Sequence, residues 1–452
     1  MMRSRALSVA FAVLLAVVLA SPVLPRAEAA DAGFVLTTLS ALQENYVDRL
    51  STVVMLNAAL LSVEQRTGVA AFDGPIPPGV SDKEAGELFT QRFDEVYSLS
   101  RDRFSVTQLV YTATAGMLES LHDSHTGFIP PESYQEEKRM ENGEAAFTGI
   151  GVVLLARDGR YYIREVFPNS PAARAGIRPF DRIVAVNGQS TSGRDSDEVS
   201  GLIRGPAGTT VVVSIERAGE TTPLDLSMVR SPIHMPAVTS RMLDDSVGYL
   251  RIYEFLPGVG NGVRDAILAL RRNGMRALVL DLRGNRGGLV DELRDVSAAM
   301  LPQSSPILQM TKRNGDTVKL ETMDPPILPA SIPVVALVDE GSASAAELLA
   351  AALQEQSRAV IAGTKTAGAV EVSINLDLPE GAGMQITVAR LRSGMGERLE
   401  GHGVIPDAQE ALETDAMNAG HDSQLDKALE VLRQKLSASP ESFPIHAAVG
   451  GV

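Results

Sequence analysis

The stretch Val338-Asp339-Glu340-Gly341-Ser342-Ala343-Ser344-Ala345-Ala346-Glu347 decides how this chain is read. An apolar run, Pro333 to Val338, precedes it and has the composition of a buried parallel strand. Ala345 to Gln356, rich in Ala, Leu and Glu, follows it and predicts a helix. Ser344 therefore falls at a helix N-terminus, where unpaired N–H groups and the helix dipole favour negative charge. That position suits a serine nucleophile whose attack creates an oxyanion. The same residues also spell a capping box, Ser344-x-x-Glu347, which needs no function. Ser342, two residues earlier, is the competing hydroxyl.

A second segment, Asp281-Leu282-Arg283-Gly284-Asn285-Arg286-Gly287-Gly288, follows another apolar run, Ala277 to Leu280. Paired glycines after a strand permit positive φ and close backbone approach to a ligand. An N–H there and the N–H of Ala345 are candidates for the two halves of an oxyanion hole; an ordinary Gly-rich turn is the plain alternative. Around both segments strand and helix alternate: Gly248 to Ile252, Gly258 to Asn273, Ala277 to Leu282, Leu289 to Met300, Val334 to Val338, Ala345 to Gln356, Ala359 to Ile361. That rhythm predicts an α/β core with a largely parallel sheet.

These two segments resemble the catalytic core of the tail-specific, or carboxyl-terminal processing, serine proteases. That family carries a Gly-Ser-Ala-Ser-Ala-x-Glu segment and an Asp-Leu-Arg-x-Asn-x-Gly-Gly loop, and the resemblance runs from roughly Tyr46 to Asp407. It implies a multidomain α/β protein: a crotonase-like, tail-specific protease core, an inserted PDZ domain and an N-terminal helical region. It implies Ser344 as nucleophile, with the N–H of Gly287 or Gly288 and that of Ala345 as oxyanion hole. The expected order is a signal peptide at 1–29, a helical region at 30–138, the PDZ domain at 139–230, the protease core at 231–412, and a short helix with a disordered tail at 413–452.

Three phrases carry the PDZ resemblance. Gly149-Ile150-Gly151-Val152 resembles the loop that binds a terminal carboxylate through backbone N–H groups. Asn169 to Ile177 resembles the short helix, and Asp181 to Gly188 the strand and turn that follow. Val186-Asn187-Gly188-Gln189 is also a hairpin signal in its own right. A PDZ domain captures peptides by strand addition and carboxylate capture; a hinge or lid is the alternative use.

The general base is where the chain departs from the main family. A serine hydroxyl needs a base, and in tail-specific proteases it is a lysine after the nucleophile's helix. Here that segment is Gly363 to Ala369, and Ala369 occupies the lysine position. Lys365 lies four residues early, as an exposed strand-end charge. Leu118 to Gly127 resembles the Ser-His segment of the tricorn-type branch, and Leu399 to Asp407 resembles that branch's glutamate segment. This resemblance implies His125 as base, with Ser124 and Glu400 as its orienting partners. Imidazole accepts protons at neutral pH, and it needs an acceptor on its other nitrogen. His122 competes, one helical turn away on nearly the same face; for His125 the plain alternative is a helix-end histidine beside Asp123 and Ser124, stabilised by the helix C-terminal dipole.

Composition narrows partners and compartment. Arg3 and Arg5, the apolar run Ala6 to Ala20 and Ala27-Glu28-Ala29 read as a secretory signal with its cleavage site. An uncleaved membrane tether is the alternative. The net charge of −15 disfavours nucleic acid and anionic membrane surfaces as partners. With no Cys, there are neither disulfides nor a lipid-modified cysteine anchor. No His/Cys ligand cluster or Walker-type loop implies a metal or nucleotide cofactor. The expected function is an exported serine endopeptidase that meets protein substrates through their C-termini. The helical arm is open to dimerisation, substrate tethering or simple covering of the core. The alternatives are an inactive PDZ scaffold and, more remotely, a binder of apolar small molecules.

Overall fold

The computed structural model describes residues 31–71, 73–141, 147–233 and 236–438. The candidate signal segment, 1–29, and the end of the tail lie outside them. The chain forms two units, one holding the residues up to Glu141 with Ser373–Val388, the other Asn142–Val372 with Ala389–Val452. No helix among the described residues is long and apolar enough to cross a membrane.

The first unit contains helices α1 (Ala32–Asn45), α2 (Thr52–Thr67), α3 (Asp82–Ser100) and α4 (Val106–Glu119), a short strand β1 (Gly127–Ile129) and α5 (Pro131–Glu141). Local chemistry sets their limits. Gly68 ends α2 in the left-handed conformation, φ 71°. Ser81 caps α3 at Glu84 N, and Ser105 with Gln108 forms a capping box on α4. Phe34, Leu42, Leu56, Phe89, Phe93, Leu109 and Met117 fill the core. Residues 373–388 return to this unit: Gly127 pairs antiparallel with Gln385 and Ile129 with Gly383, and Met384 and Ile386 enter the same core. Because α5 runs to Glu141, the expected boundary at 139 falls inside a helix.

In the second unit the PDZ domain opens on β2 (Phe147–Gly149), β3 (Val152–Arg157) and β4 (Arg160–Val166). A short helix α6 (Pro171–Ala175), β5 (Arg182–Val186), β6 (Gln189–Ser190), α7 (Ser196–Ile203), β7 (Thr210–Glu216), β8 (Leu224–Val229) and β9 (Ser231–Ile233) complete it. Strand order is β3-β4-β5-β7-β8, so β3 is an edge strand. Asn187 (φ 49°) and Gly188 (φ 75°) form the expected tight turn between β5 and β6. Val211, Val213 and Ile215 point inward at every second residue of β7. At the domain's two ends β2 and β9 pair antiparallel, Gly149 opposite Ser231 and Phe147 opposite Ile233.

The α/β core is a sheet ordered β10 (Val238–Met242), β11 (Val247–Ile252), β12 (Ala277–Asp281), β15 (Val334–Val338), β16 (Val360–Gly363), β19 (Ala408–Gln409); from β11 onward it is parallel. Residues of β11, β12 and β15 are buried throughout, as a sheet covered on both faces requires. Leu278, Leu280, Val334, Ala336 and Val338 face α8 (Val259–Arg272), α9 (Val290–Met300) and α10 (Ala345–Glu355). Ala277, Val279, Val335 and Leu337 face Ala428 and Leu432 of the last helix. That helix, α12 (Ser423–Ala438), follows α11 (Thr414–Asn418). It closes a whole face of the core, so the expected core limit at 412 is too short. In this unit β13 (Pro306–Lys312) pairs antiparallel with β14 (Thr317–Glu321) and with residues 389–393 of β18 (Gly383–Ser393), a second ladder not expected from the sequence pattern; β17 (Val372–Asp377) also pairs with β18.

Candidate active site

Two neighbouring parallel strands, β12 and β15, end at the same edge of the sheet and release the two quoted segments there, Leu282 N–H still donating to Leu337 O at 2.9 Å. The carboxyl edge of a parallel sheet is the usual place for ligands. Ser344 starts α10 with φ 55° and ψ −120°. An N-cap ordinarily has β-region dihedrals; this one is held in a region that costs a non-glycine residue about 1–3 kcal/mol. Ser344 is thus more than a plain cap. Its N–H donates to Ala369 O at 2.7 Å and to Glu347 Oε2 at 3.2 Å.

Glu347 does more than its share of a capping box. Fully buried, it also accepts from Thr366 Oγ1 (2.5 Å), Gly368 N (2.7 Å) and Ala369 N (2.9 Å). It therefore ties the start of α10 to residues 366–369, where the main family carries its lysine. The 400–403 turn packs on the same residues. Gly401 N donates to Gly368 O at 2.8 Å, and Glu400 Oε2 accepts from Val370 N at 2.8 Å and Glu371 N at 3.3 Å. Lys365 is exposed.

The glycines explain themselves by contact. A Cβ on Gly287 would fall 2.5 Å from Ser344 Cβ, 2.8 Å from Ala345 N and 2.9 Å from Ser344 Oγ, at a φ of 98°. A Cβ on Gly288 would fall 2.5 Å from Phe255 O. The N–H of Gly287 is taken by Asn285 Oδ1 at 2.8 Å, whereas the amides of Gly288 and Ala345 make no hydrogen bond to another described residue. Gly287 therefore supplies close approach, and Gly288 is left as the available donor. Gly287→Ala should lower kcat/KM by at least about a hundredfold, because any relief of the clash moves the serine or the Ala345 amide; steady-state kinetics on a peptide substrate checks this.

Ser342 is not a nucleophile candidate in this geometry. It is fully buried, donates to Leu282 O at 2.8 Å and accepts from Asp339 N at 3.0 Å. Asp339 is a partner that sequence reasoning missed: it accepts from Gly284 N at 2.7 Å and pairs with Arg164 of the PDZ domain at 2.8 Å. A carboxylate one residue past a strand and just before a Gly-Ser turn was the available signal.

Ser124 and His125 belong to the first unit. Helix α4 ends at Glu119, and His122 adopts φ 51°, so the two histidines do not share a helical face. His122 and Ser124 are exposed, and His125 is half-buried. Asp123 organises the turn: it accepts from His125 N (2.9 Å), Thr126 Oγ1 (2.9 Å) and Tyr46 Oη (3.0 Å). Burial pushes its carboxyl up, but these hydrogen bonds, led by the His125 amide, outweigh burial and hold it below the usual carboxylate range. A depressed carboxylate stabilises the fold above its unfolded value of about 4 and stops doing so as pH falls through the lower folded value. Asp123→Asn should therefore lose about 1 kcal/mol at neutral pH, and the gap from the parent should close in acid below about pH 4; denaturant melts from pH 7 to pH 3 test the sign.

Comparison with known proteins agrees with this architecture. Peptidase family S41 matches residues 246–409, and the PDZ domain matches residues 162–217. The carboxy-terminal processing protease CtpA of Bacillus subtilis is 32% identical over 365 residues, 80% of this chain and 76% of its own. The chain belongs to the carboxyl-terminal processing proteases. A second member of this family, from Synechocystis, is 30% identical over 344 residues, 75% of this chain and 80% of its own. Among solved structures, a photosystem II D1 C-terminal processing protease matches with TM-score 0.52 and 25% identity over 87% of this chain and 97% of its own. As a family S41 member with a PDZ domain the protein is a serine peptidase, which sets aside the readings as an inactive scaffold or a small-molecule binder. Of the candidate residues, Ser344, Ala345, Gly287, Gly288 and Glu400 lie together in one unit, and Ser124 and His125 lie in the other.

Proposed function

We propose that this protein is an exported endopeptidase in which Ser344 Oγ attacks the scissile carbonyl and His125 takes its proton. The oxyanion accepts from the N–H groups of Gly288 and Ala345. His125 returns the proton to the leaving amine, and water then releases the acyl group from Ser344 by the reverse use of the same base. The observation that carries this reading is the strained serine at the head of α10, in contact with Gly287 and followed by an unbonded amide. Ala369 at the lysine position, with the Ser124-His125 and Glu400 motifs, supports histidine in place of lysine and Ser124 and Glu400 as its orienting partners. A serine-directed fluorophosphonate should modify the protein at Ser344, located by peptide mass mapping; labelling elsewhere, or none, refutes the nucleophile.

Recognition of protein C-termini belongs to the PDZ domain in this reading. The loop Gly149-Ile150-Gly151-Val152 opens into the edge strand β3, which has backbone groups to offer an added strand. Gly151 has φ 80°, and its place is dictated by Ser170, whose Cβ would lie 2.3 Å from a Cβ there. Ile150 is buried in the domain core and Val152 packs against it. A peptide with an apolar terminal residue should bind through its free carboxylate and lose about tenfold or more in affinity when amidated, because charge-assisted hydrogen bonds are roughly twice as strong as neutral ones. Calorimetry on the full chain carrying Ser344→Ala, which cannot cleave the peptide, reads this; equal affinities for acid and amide make the domain a lid or hinge.

Export is supported by the basic, apolar and Ala-x-Ala parts of residues 1–29. Terminal sequencing of the mature protein should begin after Ala29, and an intact Met1 would return the tethered alternative.

A further inference from the structure

We propose that Asp422 and Gln424 are positioning residues that latch the oxyanion loop from the C-terminal segment. Both lie beyond the residues matched to the protease family, 246–409. The inference rests on Gly288 as an oxyanion donor, as proposed above.

Arg283, five residues before Gly288, is the latched group. Its side chain is 4% exposed, and its guanidinium forks onto Asp422, Nη1 to Oδ1 and Nη2 to Oδ2, each at 2.9 Å. Nη1 also donates to Gln424 Oε1 at 3.1 Å. A planar fork met by both oxygens of one carboxylate fixes orientation as well as distance. On its other side Arg283 meets Asp281 through Nε and Nη2, and its carbonyl accepts from Arg251 Nη2 at 3.1 Å. Burial pushes the Asp281 carboxyl up, but the guanidinium charges of Arg283 and Arg251 outweigh it and hold the carboxyl far below the usual range. The rest of the loop is pinned by the sheet and by Asp339: Asn285 Nδ2 donates to Ile252 O at 2.9 Å, and Gly284 N to Asp339. Asp422 and Gln424 therefore anchor this loop from the C-terminal segment, outside the β11–β15 region.

Asp422 is itself well placed to hold. It accepts from Leu425 N at 3.0 Å at the start of α12, whose Ala428 and Leu432 are buried under the sheet. Upstream, Thr414 Oγ1 donates to Asp158 Oδ2 at 2.6 Å, and Tyr162 Oη donates to Asn418 Oδ1 at 3.0 Å, so the PDZ domain steadies the same segment. A cavity of about 540 Å³ adjoins the latch, lined by Arg283, Asp422 and Leu425 among others.

Asp422→Ala and the milder Asp422→Asn in the full chain test this, with Lys427→Ala, whose side chain pairs with Glu430 of the same helix, as control. Hydrogen exchange of peptides spanning residues 282–289 should speed up by about tenfold in Asp422→Ala, while exchange in α1–α4 stays as in the parent. Per titrated active site, kcat should fall about tenfold, short of the hundredfold or more lost with an oxyanion donor, KM should stay within about twofold, and Asp422→Glu should recover most of the loss. Parent-like exchange in the loop overturns the latch, whatever the activity does, and so does a lower melting temperature with kcat per site unchanged and no local change in exchange. Faster loop exchange with kcat unchanged keeps the latch and overturns Gly288 as donor. If Asp422→Ala does not fold, Asp422→Asn carries the same comparison.

Discussion

Ser344→Ala should abolish peptide-bond hydrolysis, with a loss of at least about 10⁴-fold in kcat, in a protein that remains folded. The hydroxyl is the only group removed, and the helix keeps its other anchors. Glu347 still receives Thr366, Gly368 and Ala369, and the backbone bond from residue 344 to Ala369 O does not involve the side chain. Loss of a serine at a helix start costs about 0.5–2 kcal/mol at most, and the core beneath α10 is large. The strained backbone makes a further, sharper statement. Alanine inherits φ 55° and ψ −120°, whereas glycine enters that region freely. Ser344→Gly should therefore melt above Ser344→Ala, reversing the ordinary order for a helix start, while both are inactive. Thermal unfolding of the pair, together with fluorophosphonate labelling, checks both halves. Retained hydrolysis in either variant would end the nucleophile assignment, and a lower melting point for the glycine variant would show that the backbone there is not strained.

His125→Ala should cost at least about a hundredfold, within the 10²–10⁴ range of a general base, while Lys365→Ala changes little. Lys365 is exposed and its neighbour Thr366, not it, is the residue bound to Glu347. Ala369 is the more telling position. Its carbonyl accepts from Ser344 N and its amide donates to Glu347, so it adjoins the nucleophile through the backbone. Ala369→Lys in the His125→Ala background should return part of the lost activity by restoring a base of the family's usual kind, and it should do so with a rise toward alkaline pH, where an amine is neutral. If Lys365→Ala were the damaging change, the base would be lysine after all. If His125→Ala were harmless, the turn at Asp123 would have only a structural role.

The alternating composition of the core was readable because a sheet covered on both faces leaves little choice: Leu278 and Leu280 must face one layer, Ala277 and Val279 the other. The Gly-Gly and Ser-Ala-Ser segments were readable because close approach and positive φ admit few residue types. Partner choice was not. Asp123, Asp339 and Asp422 are ordinary acidic residues in sequence, and each acquires its importance from donors far away in the chain, such as Tyr46, Arg164 and Arg283. Glu347 showed only its local capping role, since its contacts with Thr366 and Gly368 span about twenty residues. The shared helical face assigned to His122 and His125 failed because the chain leaves the helix at Glu119, where the run His-Asp-Ser-His-Thr-Gly favours a turn. β18 was hidden for another reason. Its inward positions change phase between Ile386 and Ala389, as its residues pass from one core to another, so no single period-two pattern runs through it.

The pairing of β2 with β9 brings the entry and exit of the PDZ domain onto adjacent strands, with Gly149 opposite Ser231. Neighbouring strands lie about 5 Å apart, so the protease chain resumes almost where it was interrupted. Such a junction makes the domain a cassette. A two-residue hairpin turn spans the same gap, and a different module with closely spaced termini could be spliced across it with little loop-closure entropy to overcome. The covalent path of the strands that carry Gly288 and Ser344 would survive such an exchange, but a replacement would also have to supply the contacts that Arg164, Asp158 and Tyr162 make to Asp339, Thr414 and Asn418.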